Sequence, residues 1–386
     1  MSPAARTGPD PATPPAEPKA PLAGPVSALA AEPATAPPAV PVAEPVAVAV
    51  AEPVRVPVAG PVFGAAPGRL PVEYVLPLRW SDEEGCAELT DYLRWLSARV
   101  SVTVVDGSPP ELFARHARRW ATLVRHLTPD PTLHFLNGKV NGVLTGVHLA
   151  RHERIVVADD DVRYDEEALR VVHRLLAHAD LVRPQNYFDP LPWHACWDTG
   201  RTLLNRAFGA DYPGTFGLRR STVLAMGGYD GDVLFENLEL LRTVRGFGGV
   251  EACPPDLYVR RLPPTAGRFW SQRVRQAYDD FAVPPRMLLF LAVLPAATAL
   301  AVRDRRALLV AAAGVVALAE LGRRGRGARA VFPLRGALLA PAWVLERAVC
   351  SWAAVGLRFG RGGIRYADHR IRTAAHSQRQ LQATRH

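Results

Sequence analysis

Over residues 69–281 the chain switches repeatedly between short β-branched runs and longer stretches with apolar residues at helical spacing. That alternation constrains the fold most. Strands linked one after another through helices close their hydrophobic surface as a mostly parallel sheet covered on both faces, an α/β fold. The spacing predicts strands at 72–78, 100–105, 133–135 and 155–158, and helices at 86–98, 112–127, 144–152 and 166–179. In such sheets ligands collect beyond the carboxyl ends of the strands. Two of the predicted strands run into acid there, at Asp106-Gly107-Ser108 and at Asp159-Asp160-Asp161.

The flanks differ sharply from this middle. Residues 1–68 hold 17 of the 36 prolines and no aromatic before Phe63. Such a segment buries too little apolar surface to offset its ordering entropy, so a disordered, polyproline-like tail is expected. From Pro284 onward 17 arginines face 4 acids, a net +13 in a chain whose formal charge is +9. The charge flanks apolar runs instead of covering a folded domain among aromatics, which argues against nucleic acid and for a membrane surface. The runs are 287–302, 307–319 and 337–357, bounded by Arg286, the 303–306 cluster and Arg323-Arg324. A full span takes about 20 apolar residues, and snorkelling arginine stems can extend shorter ones. The expectation is multi-pass attachment to the cell membrane with the folded body facing the cytoplasm, or helices lying in the interface. The expected organisation is a tail at 1–68, an α/β domain at 69–283, membrane helices at 284–360 and a basic tail at 361–386. Four widely spaced cysteines, with no Cys-x-x-Cys, exclude a disulfide framework or structural zinc.

The strand ending in Asp159-Asp160-Asp161 delivers three carboxylates to one place. Burying that charge without a partner costs several kcal/mol, so a hard divalent cation, Mg²⁺ or Mn²⁺, bridging to a diphosphate is its natural partner. A solvated acidic loop is the plain alternative. Around it stand Asn137-Gly138-Lys139-Val140-Asn141-Gly142 upstream and Gly214-Thr215-Phe216-Gly217 downstream. Gly227-Gly228-Tyr229-Asp230, Phe235-Glu236-Asn237-Leu238-Glu239 and Gln272-Arg273-Val274-Arg275-Gln276 follow.

In order and spacing these motifs resemble family 2 glycosyltransferases of the GT-A (Rossmann-like, nucleotide-diphospho-sugar transferase) fold. The likeness is to the membrane-attached kind that includes ceramide glucosyltransferases and polysaccharide synthases, and it covers roughly residues 70–282. The resemblance implies an inverting enzyme moving a sugar from a nucleotide-diphospho-sugar donor to a lipid or glycan acceptor, with C-terminal transmembrane or membrane-associated helices. On that likeness Asp106, Lys139, Asp159, Asp160, Gln272 and Arg275 contact the donor, and Asp159 and Asp161 hold the metal. Gly228, Tyr229, Asn237 and Gln276 fall on the acceptor side, where Gln276 replaces the family's Trp. The family's catalytic base is the second residue of a Glu-Asp pair, which here reads Glu236-Asn237. An amide cannot take a proton in that way, so the role passes to Glu236 or Glu239, or the acceptor needs little activation, or the chain is an inactive homologue serving as a membrane-tethered scaffold. Trp193, His194 and Trp197 are further acceptor-contact candidates, with interfacial anchoring as the alternative.

Overall fold

The computed structural model describes residues 69–366 and 369–383; the expected tail at 1–68 lies outside them.

The first half alternates as the sequence pattern requires: β1 (Val72–Leu78), α1 (Cys86–Ser97), β2 (Ser101–Asp106), α2 (Pro110–Trp120), β3 (Arg125–Leu127), α3 (Gly138–Leu149) and β4 (Arg154–Ala158). Next come β5 (Val162–Arg163), α4 (Glu166–Leu175), β6 (Leu181–Val182), β7 (Gln185–Phe188), α5 (Trp193–Ala207), β8 (Thr215–Arg219), α6 (Arg220–Ala225), α7 (Glu236–Gly246), β9 (Glu251–Ala252) and β10 (Tyr258–Arg261). The C-terminal part holds α8 (Ala266–Ser271), α9 (Arg273–Tyr278), α10 (Pro284–Arg303), α11 (Arg305–Arg324), α12 (Ala328–Val331), α13 (Leu334–Leu338) and α14 (Ala340–Gly360). A hairpin of β11 (Ile364–Tyr366) and β12 (His369–Ile371) and a short α15 (Gln378–Ala383) follow.

A seven-stranded sheet runs in the order β3-β2-β1-β4-β8-β6-β9. Only β8 opposes its neighbours; every other pairing in that sheet is parallel. A smaller sheet, β5-β10-β7, stands beside it. Strand alternation divides the interior in two. Tyr74, Leu76 and Val156 face the core formed with α1 and α4, while Val75, Ile155 and Val157 face the one formed with α3 and α7. Glu73, buried inside β1, is satisfied by the Thr103 hydroxyl at 2.6 Å and the Arg151 amide at 3.2 Å.

Helix α3 lies unusually close to the sheet. A Cβ on Gly142 would come within 2.9 Å of Pro77 Cβ, and one on Gly146 within 2.2 Å of Val75 Cγ1. Two glycines four residues apart thus form the helix face that meets β1, and they set the position of the α3 N-terminus over the carboxyl ends of the strands.

Three element boundaries differ from expectation. The second helix stops at Trp120, whose indole is buried and donates to the Thr90 hydroxyl at 2.9 Å; the chain then turns, and 125–127 becomes edge strand β3. Residues 133–135 form a loop, because the Asn141 amide satisfies the Phe135 backbone N–H and C=O at 3.1 and 3.0 Å in place of a neighbouring strand. The third helix begins at Gly138, so the glycine-lysine motif lies in its first turn.

The multi-pass expectation is also narrowed. Among the described residues only α10 is long and apolar enough to cross a membrane. Helix α11 is charged at both ends. Helix α14 turns Glu346 and Arg347 inward onto Arg273 and Asp280, so it packs on the α/β body.

Gly146→Ala is expected to lower stability by about 1–3 kcal/mol, since the overpacking against Val75 outweighs the ~1 kcal/mol gain in helix propensity. A melting temperature at or above wild type would show that α3 does not need this close approach.

Candidate functional site

The carboxyl ends of β1, β2 and β4, the start of α7, and α9 enclose a cleft of about 1130 Å³. Its floor is the acidic triplet. Asp159 leaves β4 with its backbone N–H bonded to the Gly214 carbonyl at 2.9 Å, and a Cβ on Gly214 would lie 2.6 Å from Asp159 Oδ2. Only glycine leaves room for the carboxylate there. Asp160 accepts a short hydrogen bond from the Trp80 indole. Asp161 receives Arg261 Nε at 2.9 and 2.8 Å on its two oxygens, and Arg261 Nη2 reaches Asp159 at 3.4 Å. Burial, reinforced by Asp159 and Asp160, pushes the Asp161 carboxyl up to about 6 even though Arg261 pulls it down.

Lys139 rises from the first turn of α3, which Asn137 caps by accepting from the Lys139 amide at 3.2 Å. Its ammonium lies 2.6 Å from Asp159 Oδ1, 2.8 Å from Glu236 Oε1 and 3.5 Å from Asn237 Oδ1. Burial works against this charge, but the two carboxylates outweigh it and hold the Lys139 pKa well above its ordinary value. Asn137, itself fully buried, also donates to Glu236 Oε2 at 3.4 Å and accepts from the Tyr366 hydroxyl at 2.9 Å. Asn237 donates to the Pro213 carbonyl at 3.1 Å.

Gln272, Arg275 and Gln276 line the opposite wall. The Arg275 guanidinium lies 4.5 Å from the centre of the Tyr366 ring, and Gln276 accepts from Arg273 at 2.8 Å. Behind them Arg273 joins Asp198 at 2.9 Å to Glu346 at 2.6 Å, and Arg201 joins Asp198 to Asp211.

Four carboxylates (Asp159, Asp160, Asp161, Glu236) therefore face two cations, Lys139 and Arg261. This excess of hard, negatively charged oxygen fits a divalent cation such as Mg²⁺ or Mn²⁺. Arg261 covers Asp161, so a cation at that carboxylate binds in competition with the guanidinium.

Asp159, Asp160, Asp161, Lys139, Glu236, Asn237, Gln272, Arg275 and Gln276 thus share one cleft. Seven other candidates lie outside it. Asp106 is 1% exposed and turned inward, accepting from His116 Nδ1 at 2.7 Å, His126 Nε2 at 3.0 Å and the Ser108 amide at 2.9 Å. Glu239 is fully buried, bonded to the His376 amide at 2.7 Å and its Nδ1 at 3.0 Å; one helical turn rotates it away from Glu236 instead of beside it. Gly228 is a left-handed turn residue packed on Leu144, and the Tyr229 ring is buried in the adjoining core. Trp193 stacks near Trp270, His194 meets the Pro264 carbonyl, and Trp197 donates to Glu346.

The sequence reading missed Arg261, Tyr366, Asp279 and the Asp198–Arg273–Glu346 chain. Arg261 and Tyr366 lie about a hundred and two hundred residues from their partners, beyond any local signal. A readable trace of the ion-pair chain was the Glu346-Arg347 pair inside an otherwise apolar run.

No protein-family model matches the chain, and no curated protein matches it by sequence. By structure it is similar to a mannosyltransferase from Pyrobaculum calidifontis in complex with GDP-Man and Mn²⁺, at 20% identity and a TM-score of 0.43, covering 74% of this chain and 88% of that one. It is also similar to the Mycobacterium tuberculosis glucosyl-3-phosphoglycerate synthase (15% identity, TM-score 0.34, 50% and 70% covered). A third likeness is to mannosyl-3-phosphoglycerate synthase from Rubrobacter xylanophilus (16%, 0.37, 52% and 69%). At these scores the likenesses carry no assignment of function.

Asp106 yields a pH test. Burial opposes its charge, but hydrogen bonds from His126, Ser108 and His116 win and lower its pKa to about 2. A depressed carboxyl contributes stability that is complete above its unfolded pKa and is lost as pH falls through the folded one. Wild type should therefore lose about 2 kcal/mol of unfolding free energy between pH 4 and pH 2 that Asp106→Asn does not lose, as read from urea melts. Parallel curves for the two proteins would place Asp106 outside this network.

Proposed function

We propose that the chain is a divalent-metal-dependent glycosyltransferase of the GT-A type, moving a sugar from a nucleotide-diphospho-sugar to a lipid or glycan hydroxyl with inversion. The observation that carries this reading is the acidic triplet at the carboxyl end of β4, on the floor of a cleft that also holds Lys139, Gln272 and Arg275. In open α/β sheets of this kind ligands collect beyond the carboxyl ends of the strands, which supports a nucleotide there. Asp159 and Asp161 are the residues that would hold the cation. The chemistry a cation held there would supply is neutralisation of charge developing on the departing diphosphate.

The protein's own groups do the rest. Lys139 is fixed by Asp159 and Glu236 with its ammonium facing the cleft, preorganised for phosphate oxygens. Arg275, laid over Tyr366, supplies a second cation from the opposite wall. The competing reading, an inactive membrane-tethered homologue, is favoured by Asn237 and by the long Pro/Ala-rich segment at 1–68.

Membrane attachment belongs to the same proposal. Leu288 (66% exposed), Leu289, Leu309 and Val310 (72% exposed) lie open on α10 and α11, with Arg303, Arg305 and Arg306 at the turn between these helices. Apolar side chains rimmed by arginine suit the headgroup region of an anionic bilayer. With Leu289 and Leu309 both changed to Glu, the protein should no longer float with phosphatidylserine vesicles; undiminished flotation would remove this surface from the membrane contact.

Titration of UDP, GDP and dTDP into the purified protein, with and without Mn²⁺, tests the donor site. One nucleotide should bind in a metal-dependent way, and Asp161→Ala should weaken it at least about tenfold, a loss of ~1.4 kcal/mol. Absence of binding by all three would overturn the donor-site reading and leave the scaffold.

A further inference from the structure

We propose that Asp279 is the general base of this site, the carboxylate that takes the proton from the attacking hydroxyl. The inference rests on the glycosyl-transfer reading and supplies what the sequence lacks at Asn237.

The argument begins with the acids that are not free to act. Glu236 accepts from Lys139 on one oxygen and from Asn137 on the other. Glu239 is sealed against His376, outside the cleft. Asp159 and Asp161 are held by Lys139 and Arg261, Asp160 by Trp80, Asp198 by Arg201 and Arg273, and Glu88 by Arg163, while Asp82 and Glu84 are exposed to water on the loop after β1. Asp279 differs. It lies in the cleft wall with Glu236, Asn237 and Gln276, in the turn directly after α9. Among the described residues its carboxylate accepts no hydrogen bond and joins no ion pair.

The adjacent residue explains why. Asp280 is 2% exposed and takes Arg347 Nε at 2.8 Å on one oxygen and Arg347 Nη2 at 3.1 Å on the other, where Arg286 Nε also lies 3.0 Å away. Asp280 thus takes Nε and Nη2 of Arg347 and Nε of Arg286 and anchors the turn; Arg347 Nη1 has no hydrogen-bond partner among the described residues, and Asp279 lines the cleft. Arg275, one helical turn before Asp279, is stacked on Tyr366.

The charged groups around Asp279 come from every side: Arg275 on α9, Arg347 on α14, Glu236 on α7 and Asp280 beside it. Burial dominates and pushes its carboxyl up to about 7. Arg275 and Arg347 pull the value down, while Glu236 and Asp280 add to the rise. A base with a pKa near the working pH combines an ionised fraction with a real affinity for the proton.

In the step itself, the acceptor oxygen forms its bond to the anomeric carbon as its proton passes to Asp279. The bond from that carbon to the diphosphate oxygen breaks, and its electron pair leaves with the nucleoside diphosphate. The proton is later released to water.

The test uses the full chain and the sugar conjugate of whichever nucleotide binds, with release of nucleoside diphosphate as the readout and water or a glycoside as acceptor. Asp279→Asn should lower kcat by about 100-fold or more while the nucleotide Kd moves less than about twofold. The acidic limb of the rate–pH profile near pH 7 should vanish. Asp279→Glu should recover part of the rate with a displaced limb. Because the raised carboxyl costs stability as pH climbs from about 4 to 7, Asp279→Asn should melt no lower than wild type at pH 8, which shows that it is folded. Turnover by folded Asp279→Asn at the wild-type rate overturns the assignment, as does an Asp279→Glu profile coincident with wild type. If wild type binds no nucleotide, the glycosyl-transfer reading falls first and the base with it; intact binding with unaffected Asp279 variants sinks the base alone.

Discussion

One ammonium group ties the site together. Lys139 reaches from the first turn of α3 to Asp159 at the end of β4 and to Glu236 at the start of α7. These three elements are about twenty to a hundred residues apart in sequence. None of their local preferences fixes the distance between them, so the ion triad does. Its cost is high, because a buried lysine is tolerated only when compensated in full. The compensation here is two carboxylates for one cation, and the surplus negative charge is what makes the floor of the cleft receptive to a metal or to further cationic groups. The Gly142–Gly146 face matters for the same reason. It lowers α3 onto β1 until the Lys139 side chain spans the gap.

The same logic runs through the C-terminal helices. An apolar run containing Glu346-Arg347 reads as an interrupted membrane helix when only hydropathy is counted. In the fold both charges point inward, Glu346 to Arg273 and Arg347 to Asp280. Helix α14 is therefore the outer wall of the body that carries the cleft, and its apolar remainder is shared between that body and the exposed surface continuing over α10 and α11. A charged pair buried this deeply adds little net stability against an apolar alternative, but it fixes register: α14 cannot slide or rotate without stranding a charge. That register places Arg347 on Asp280, and so sets the turn bearing Asp279.

What the sequence made legible follows the range of the interactions. Strands β1, β2 and β4 announce themselves through β-branched runs, and the acid at the end of β4 is visible because strand and triplet are contiguous. The first turn of α3 was readable as a motif but misplaced relative to its helix, since Asn, Gly and Lys are poor helix signals whose role here is a cap and a close approach. Asp106 looked like a ligand contact because it ends a strand. Its two histidine partners, ten and twenty residues on, turn it inward, and nothing in the local pattern distinguishes a strand-end acid that faces solvent from one that does not. Glu239 failed for a simpler reason: a helical turn brings i and i+3 to neighbouring positions, yet a helix start at the cleft edge lets the first residue face the cavity while the fourth meets the core.

The replacement at position 237 then has a physical reading in place of a merely negative one. In this cleft every acid near the donor floor is matched to a cation or a hydrogen-bond donor, which suits binding and suppresses basicity. An aspartate at 237 would lie 3.5 Å or less from Lys139 and would join that triad as a third carboxylate, ionised and held, with little tendency to take a proton. An amide there adds no third carboxylate to the triad, donates to the Pro213 carbonyl, and leaves proton transfer to a carboxylate outside it. Separation of the two tasks by wall, with charge neutralisation along β4, α3 and α7 and proton acceptance on the turn after α9, follows from how the cations are distributed. Arg286 and two of the nitrogens of Arg347 are bonded to Asp280, and Asp279 is left with the environment a base requires: partial burial, no hydrogen-bond donor among the described residues, and Glu236 and Asp280 as acid neighbours.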